Sequence, residues 1–104
     1  MARLIWTEPA LLDLDAIAEY IALDDLCAAQ GFVEKVFERT ARLERFPGSG
    51  RRPPELQKTP YQEIVVAPCR IFYRREGDAV YIIYVMRSEK LLREHLLALR
   101  DTDK

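Results

Sequence analysis

Histidine, serine, cysteine and glycine are scarce in this chain, and each shortage closes a class of chemistry. One histidine, His95, and two serines, Ser49 and Ser88, stand among 104 residues. A Ser-His-Asp or Cys-His site would have to recruit that single imidazole, and nothing in the spacing pairs it with a nucleophile. Two cysteines, Cys27 and Cys69, are too few for a disulfide framework and lack zinc-ligand spacing. The expectation is two reduced thiols, no metal and no cofactor. Gly48-Ser49-Gly50 has no Walker lysine and precedes no helix, which excludes a phosphate-cradling loop. No apolar run approaches the roughly 20 residues that span a bilayer. Met1-Ala2-Arg3 leads straight into a strand-like segment, so a cytoplasmic protein without signal peptide or membrane contact is expected.

An excess of either charge is missing too. Sixteen Lys and Arg face 17 Asp and Glu, a net charge of −1. Dedicated nucleic-acid binders show a basic excess over the whole domain, because counterion release from phosphates drives their binding. Strong nucleic-acid binding is therefore not expected. The balance is uneven along the chain: residues 1–30 carry one basic and six acidic side chains, residues 51–76 six basic and three acidic. With 49% hydrophobic residues the chain has the apolar content of a folded domain, and its length suits one, over 1–104.

Arg3–Trp6 reads as a short strand. Thr7 reads as an N-cap, with Glu8 and Pro9 in the first turn of a helix over 8–22. Leu14, Ile17, Ala18 and Ile21 form its inner stripe, and Asp13, Asp15 and Glu19 form a solvated outer face. Asp24-Asp25 caps a second helix running to about Arg45, with Ala29, Val33, Val36, Phe37, Thr40 and Leu43 turned inward. Phe46-Pro47-Gly48 stops it. Four prolines and two glycines make 47–60 a loop. Three strands follow, over 63–66, 69–75 and 79–86. The last is almost wholly apolar, so both its faces are covered and it is central. Ser88 caps a final helix with Leu92, Leu96 and Leu99 on one side. The order β-αα-βββ-α predicts an α+β fold: an N-terminal strand and antiparallel helical hairpin on a mostly antiparallel four-stranded sheet, with a C-terminal helix.

Arginines are the unusual feature of the strands. In Arg70-Ile71-Phe72-Tyr73-Arg74-Arg75, Arg70, Phe72 and Arg74 point to one face, Ile71, Tyr73 and Arg75 to the other. Two readings of Arg70 stand side by side: a pair with Glu63 across the hairpin, or a binding role. Arg87, where the central strand ends, can grip phosphate or carboxylate, or stand as a solvated strand terminus.

These residues, in order, resemble the RelE/ParE superfamily of toxins from type II toxin–antitoxin systems. The resemblance runs through Trp6-Thr7, Ala10, Asp13-Leu14, Ile17 and Tyr20-Ile21, then Leu43 and Phe46-Pro47-Gly48-Ser49-Gly50-Arg51. It continues through Tyr61-Gln62-Glu63-Ile64-Val65-Val66, Arg70-Ile71-Phe72-Tyr73-Arg74, and Val80–Val85 with Arg87. The superfamily carries two activities on one fold. RelE-like members are ribosome-dependent mRNA endonucleases using lysines of the second strand, arginines of the third strand and after the last, and a late tyrosine or histidine. Here the lysine positions hold Gln62 and Ile64, and no tyrosine follows Tyr84; His95 is the only late base. The resemblance therefore implies the ParE-like branch: a toxin that is not an enzyme and has no catalytic residues. Its target would be DNA gyrase, contacted by Arg70, Arg74, Arg75 and Arg87, and its partner a ParD-like antitoxin. The antitoxin would contact Asp13, Tyr20, Arg39, Arg42, Leu92 and Leu96 in a heterodimer or heterotetramer. The family often has arginine where this chain has Gln62. The alternatives are a RelE-like nuclease and an inactive relic that only binds its antitoxin.

Overall fold

Thr7 is where the first strand becomes the first helix, and it also fastens that corner to the sheet. Its hydroxyl oxygen accepts from the Ala10 amide at 3.4 Å and donates to the Ile82 carbonyl at 2.8 Å. A computed structural model describes residues 1–101, in the order β1 (Arg3–Trp6), α1 (Glu8–Ala22), α2 (Leu26–Ala41), β2 (Tyr61–Val66), β3 (Cys69–Glu76), β4 (Ala79–Arg87) and α3 (Glu94–Asp101). Asp25 caps α2 through the Ala28 amide at 3.0 Å. The end of α2 tightens into a 3-10 turn, Arg42–Glu44, before the proline loop.

The sheet order is β1-β4-β3-β2, with β1 parallel to β4 and the other pairs antiparallel. This is the expected α+β architecture, with β4 inside the sheet. Gly77, at φ 58°, makes the two-residue turn into β4, a conformation glycine reaches without a Cβ clash. A register shift between Phe72 and Tyr73 inserts one extra residue in β4, so Ile82 faces one side while Ile83 and Tyr84 both face the other.

The two faces are closed by different elements. Ala10, Leu14, Phe32, Val36 and Leu43 of the helical layer meet Val66, Ile71, Tyr73, Val80, Ile82 and Val85 of the sheet. Each such fully buried aliphatic side chain contributes about 1.5–3 kcal/mol relative to exposure. On the opposite face Leu92 and Leu97 cover Tyr61, Phe72, Ile83 and Met86.

Three sequence expectations change register. Phe32 is buried and Phe37 is 42% exposed, the reverse of the expected stripe. Both lie within one turn of Val36, and the crossing with α1 selects between them. Ser88 caps no helix: its amide donates to the Pro68 carbonyl at 2.9 Å, and α3 begins six residues later. Leu92 consequently lies ahead of the helix, so a helical stripe counted from it misses. Leu97 is the buried leucine of α3 and Leu99 is 65% exposed.

Candidate functional site

The proline loop reaches the sheet edge through Gly50 and Arg51. Arg51 and Glu63 exchange backbone hydrogen bonds at 2.9 and 2.7 Å, a one-residue extension of the β2 edge. Gly50 donates its N–H to the Tyr73 hydroxyl at 2.9 Å, and that hydroxyl donates to the Pro47 carbonyl at 2.9 Å. A Cβ on Gly50 would stand 2.4 Å from the same hydroxyl oxygen and 2.6 Å from the Glu63 carbonyl oxygen, so the position demands glycine. Gln62 donates its side-chain amide to the Gly50 carbonyl at 3.2 Å.

Below this junction lies a carboxylate that accepts from two arginines. Glu63 is fully buried; Arg70 Nε donates to its Oε1 at 2.6 Å and Arg51 Nε to its Oε2 at 2.7 Å. The rest of the Arg70 fork grips Glu55 of the loop bidentately, at 2.8 and 2.9 Å. The guanidinium also lies 5.1 Å from the centre of the Phe72 ring. The hydrogen bonds that Arg70 donates to Glu55 raise the Arg70 pKa further above its ordinary value, and the same fork lowers that of Glu55. Of the two readings of Arg70, the pair with Glu63 is present, extended by a second carboxylate. The sequence singled out Glu63 only as a partner of Arg70; its full burial on β2, between β3 and the Arg51 bridge of the loop, was missed.

The C-terminal helix consumes a second arginine set. Arg74 Nε donates to Asp101 Oδ1 at 2.8 Å and its Nη2 to Glu76 Oε2 at 3.1 Å. Tyr61 donates to Asp101 at 3.4 Å; burial first, then the nearby carboxylate, raises that phenol's pKa. Arg100 grips Asp13 bidentately at 2.6 and 2.8 Å and lies 4.2 Å from the Tyr84 ring centre. Asp13 also accepts from the Val85 amide at 3.1 Å. The expected solvated face Asp13, Asp15, Glu19 is thus corrected at its first member, which ties α1 to β4 and α3.

Of the proposed target contacts, Arg70 and Arg74 are buried in these pairs, while Arg75 is exposed. Arg87 is half-buried, donates to Glu89 at 2.6 Å and lies 5.7 Å from the centre of the exposed Tyr20 ring. Among the proposed antitoxin contacts, Tyr20 and Arg42 are exposed and Leu96 is partly buried. Arg39 donates to the Val65 carbonyl at 3.3 Å. Leu92 is buried in the second core. His95 is exposed on α3. Cys27 is exposed, and burial pushes the Cys69 thiol up to about 11. No group of three or more His, Cys, Asp or Glu among the described residues is placed to hold a metal. No helix among them is long and apolar enough to cross a membrane.

The sequence missed a groove along the outside of the helical hairpin. Two adjoining hollows of about 470 and 590 Å³ share Ala18 and Val33. Leu11, Leu12, Leu26 and Phe37 give them apolar walls, and Glu8, Asp15, Glu19 and Glu34 line them without a single lysine or arginine. Apolar residues on both margins of each helix were the available signal; the inner-stripe pattern hid it.

Residues 4–92 match the family described as ParE toxin of type II toxin-antitoxin system, parDE. Toxin RelE2 of Caulobacter vibrioides is 31% identical over 93 residues, covering 88% of this chain and 100% of that protein. A solved structure of a chromosomal ParDE toxin–antitoxin system from P. aeruginosa superposes with a TM-score of 0.72 at 26% identity, over 86% of this chain and 98% of that one.

Proposed function

The chain belongs to the ParE toxin family of type II toxin–antitoxin systems, and on that premise we propose that it arrests growth in the cytoplasm by a protein–protein contact with DNA gyrase and is neutralised by a ParD-like antitoxin. The observation that carries the non-catalytic reading is the state of β2 and β3. Gln62 and Ile64 stand at the nuclease lysine positions, the first bound to the Gly50 carbonyl and the second packed on the core. Neither side chain can take a proton from a hydroxyl at neutral pH or balance the charge of a phosphorane. Arg70 and Arg74, which could supply that charge, are each held by two carboxylates. Target contact then falls to the accessible guanidinium groups, Arg75 and Arg87.

The acidic apolar groove supports an antitoxin segment of one chemistry: an amphipathic helix with a leucine-type stripe flanked by lysine or arginine. Such a segment, disordered alone and folding in the groove, gives a hetero-oligomer with a large negative heat-capacity change on binding.

The test is expression without the partner, read by pulse-labelling and by gyrase supercoiling with purified protein. Filamentation, inhibited supercoiling and continued translation are the expected results. One observation favours a second reading, the similarity to a protein named Toxin RelE2. Translation that stops within minutes while DNA synthesis continues would select a ribosome-dependent nuclease instead.

A further inference from the structure

Trp6 Nε1 is the one buried side-chain nitrogen or oxygen among the described residues without a hydrogen-bond partner. A buried donor left unpaired costs free energy that folded chains avoid almost everywhere else. The position of this one is informative. Trp6 ends the edge strand β1, opposite Ile82 of β4. The next residue, Thr7, gives its N–H to the Ile82 carbonyl at 3.1 Å, so by alternation the Trp6 backbone groups face away from the sheet. Phe37 of α2 leans on the indole with ring centroids 5.3 Å apart and planes tilted by 57°. That same Phe37 is 42% exposed and lines the groove beside Glu8, Leu11 and Leu12. One rotatable side chain therefore touches both the orphan donor's ring and the groove.

We propose that Trp6 Nε1 is a specificity contact held for the antitoxin: the partner helix displaces the Phe37 ring and places a neutral amide oxygen, from Asn or Gln, on the indole N–H. This inference rests on the antitoxin reading above. The acceptor is neutral because Glu8 and Asp15 line the same stretch, and a carboxylate entering there meets like charge. It belongs to a side chain because the carbonyls of a bound helix are spent on its own backbone. A related antitoxin with an apolar residue at that position leaves the donor unpaired and is discriminated against.

The chain has a single tryptophan, so one indole N–H resonance reports the contact in the full-length protein. The probe is a full-length ParD-like antitoxin, titrated into labelled toxin, with calorimetry on the same samples. The expected result is a downfield shift of the indole proton and slower solvent exchange upon binding. Replacing Trp6 by 3-benzothienylalanine keeps the shape and removes only the N–H; affinity should fall roughly tenfold, about 1.4 kcal/mol, with the melting temperature unchanged or higher. Trp6→Phe should weaken binding at least as much. A complex whose indole signal does not move, or a benzothienyl variant that binds as tightly as the parent, overturns this inference and leaves the antitoxin reading intact. No complex at all removes both.

Discussion

The two faces of one sheet are closed by opposite means. Against the helical hairpin, Ile71, Tyr73, Val80, Ile82 and Val85 meet an apolar stripe, and single polar contacts stand around it: the Thr7 hydroxyl on the Ile82 carbonyl, Asp13 on the Val85 amide and the Tyr73 hydroxyl at the proline loop. On the other face Leu92 and Leu97 cover a smaller apolar cluster, and ion pairs surround it: Arg70 with Glu55 and Glu63, Arg74 with Asp101, Arg100 with Asp13. Closing a face with guanidinium–carboxylate pairs consumes the very groups that a phosphate-handling surface needs. An arginine-rich strand is then no sign of an anion site, and the accessible chemistry moves to the hairpin's outer groove and the end of β4.

The sharpest break in that comparison is Glu63→Gln. It removes the fully buried charge that Arg70 and Arg51 share, and losing one member of a buried pair costs about 3–5 kcal/mol. Chemical denaturation should show that loss. Replacing both partners, Glu63→Leu with Arg70→Met, should restore much of it, because the two charges then left without these partners, Arg51 and Glu55, reach solvent. An equally damaging double variant would mean that Arg51 and Glu55, not the pair, set the cost.

Next in size is the hairpin face. Ile71→Ala empties a fully buried site and should cost about 2–4 kcal/mol. Its loss should be the same at low and high salt, since no charge is involved. A marked salt dependence would show the two faces to be coupled through β3.

Gly50→Ala comes third, at about 1–3 kcal/mol, because the new methyl group collides with the Tyr73 hydroxyl and the Glu63 carbonyl. Tyr73→Phe in the same background should recover part of the loss by removing the first obstacle. No recovery would place the strain in the backbone contact with Glu63.

The sequence made the apolar face legible and left the ionic face dark, for a physical reason. Helix and strand periodicity is local: Thr7, Asp25, Gly77 and the wholly apolar β4 announce themselves within a few residues. Ion pairs are not local. Glu55 lies 15 residues from Arg70, Asp101 27 from Arg74, and Asp13 87 from Arg100. No spacing rule links such positions, so Arg70 and Arg74 read as candidates for a binding surface. Only the Arg70–Glu63 pair, seven residues apart across a hairpin, was within reach. The groove was missed for a related reason: inner and outer margins of α2 are both apolar, and only the crossing with α1 distinguishes Phe32 from Phe37.

The smallest effect concerns pH and tests the loop end of the ionic face. The Arg70 fork holds the Glu55 carboxyl below its ordinary value of 4.5, with burial opposing it. A group whose pKa is lower in the folded chain binds fewer protons there than in the unfolded one. Its contribution is therefore complete above the unfolded value and fades as pH falls from about 4.5 through the folded value. Because the Glu55 side chain is 34% exposed, solvent screening limits that contribution to under about 1 kcal/mol. Glu55→Gln should lower stability at neutral pH by that small amount and flatten the acid limb of the stability–pH curve below 4.5. It should leave the curve above pH 6 parallel to the parent. If the acid limb keeps its full slope in Glu55→Gln, the loop is not held down through this carboxylate, and Arg51 with the Tyr73 hydroxyl is what fastens it to the sheet.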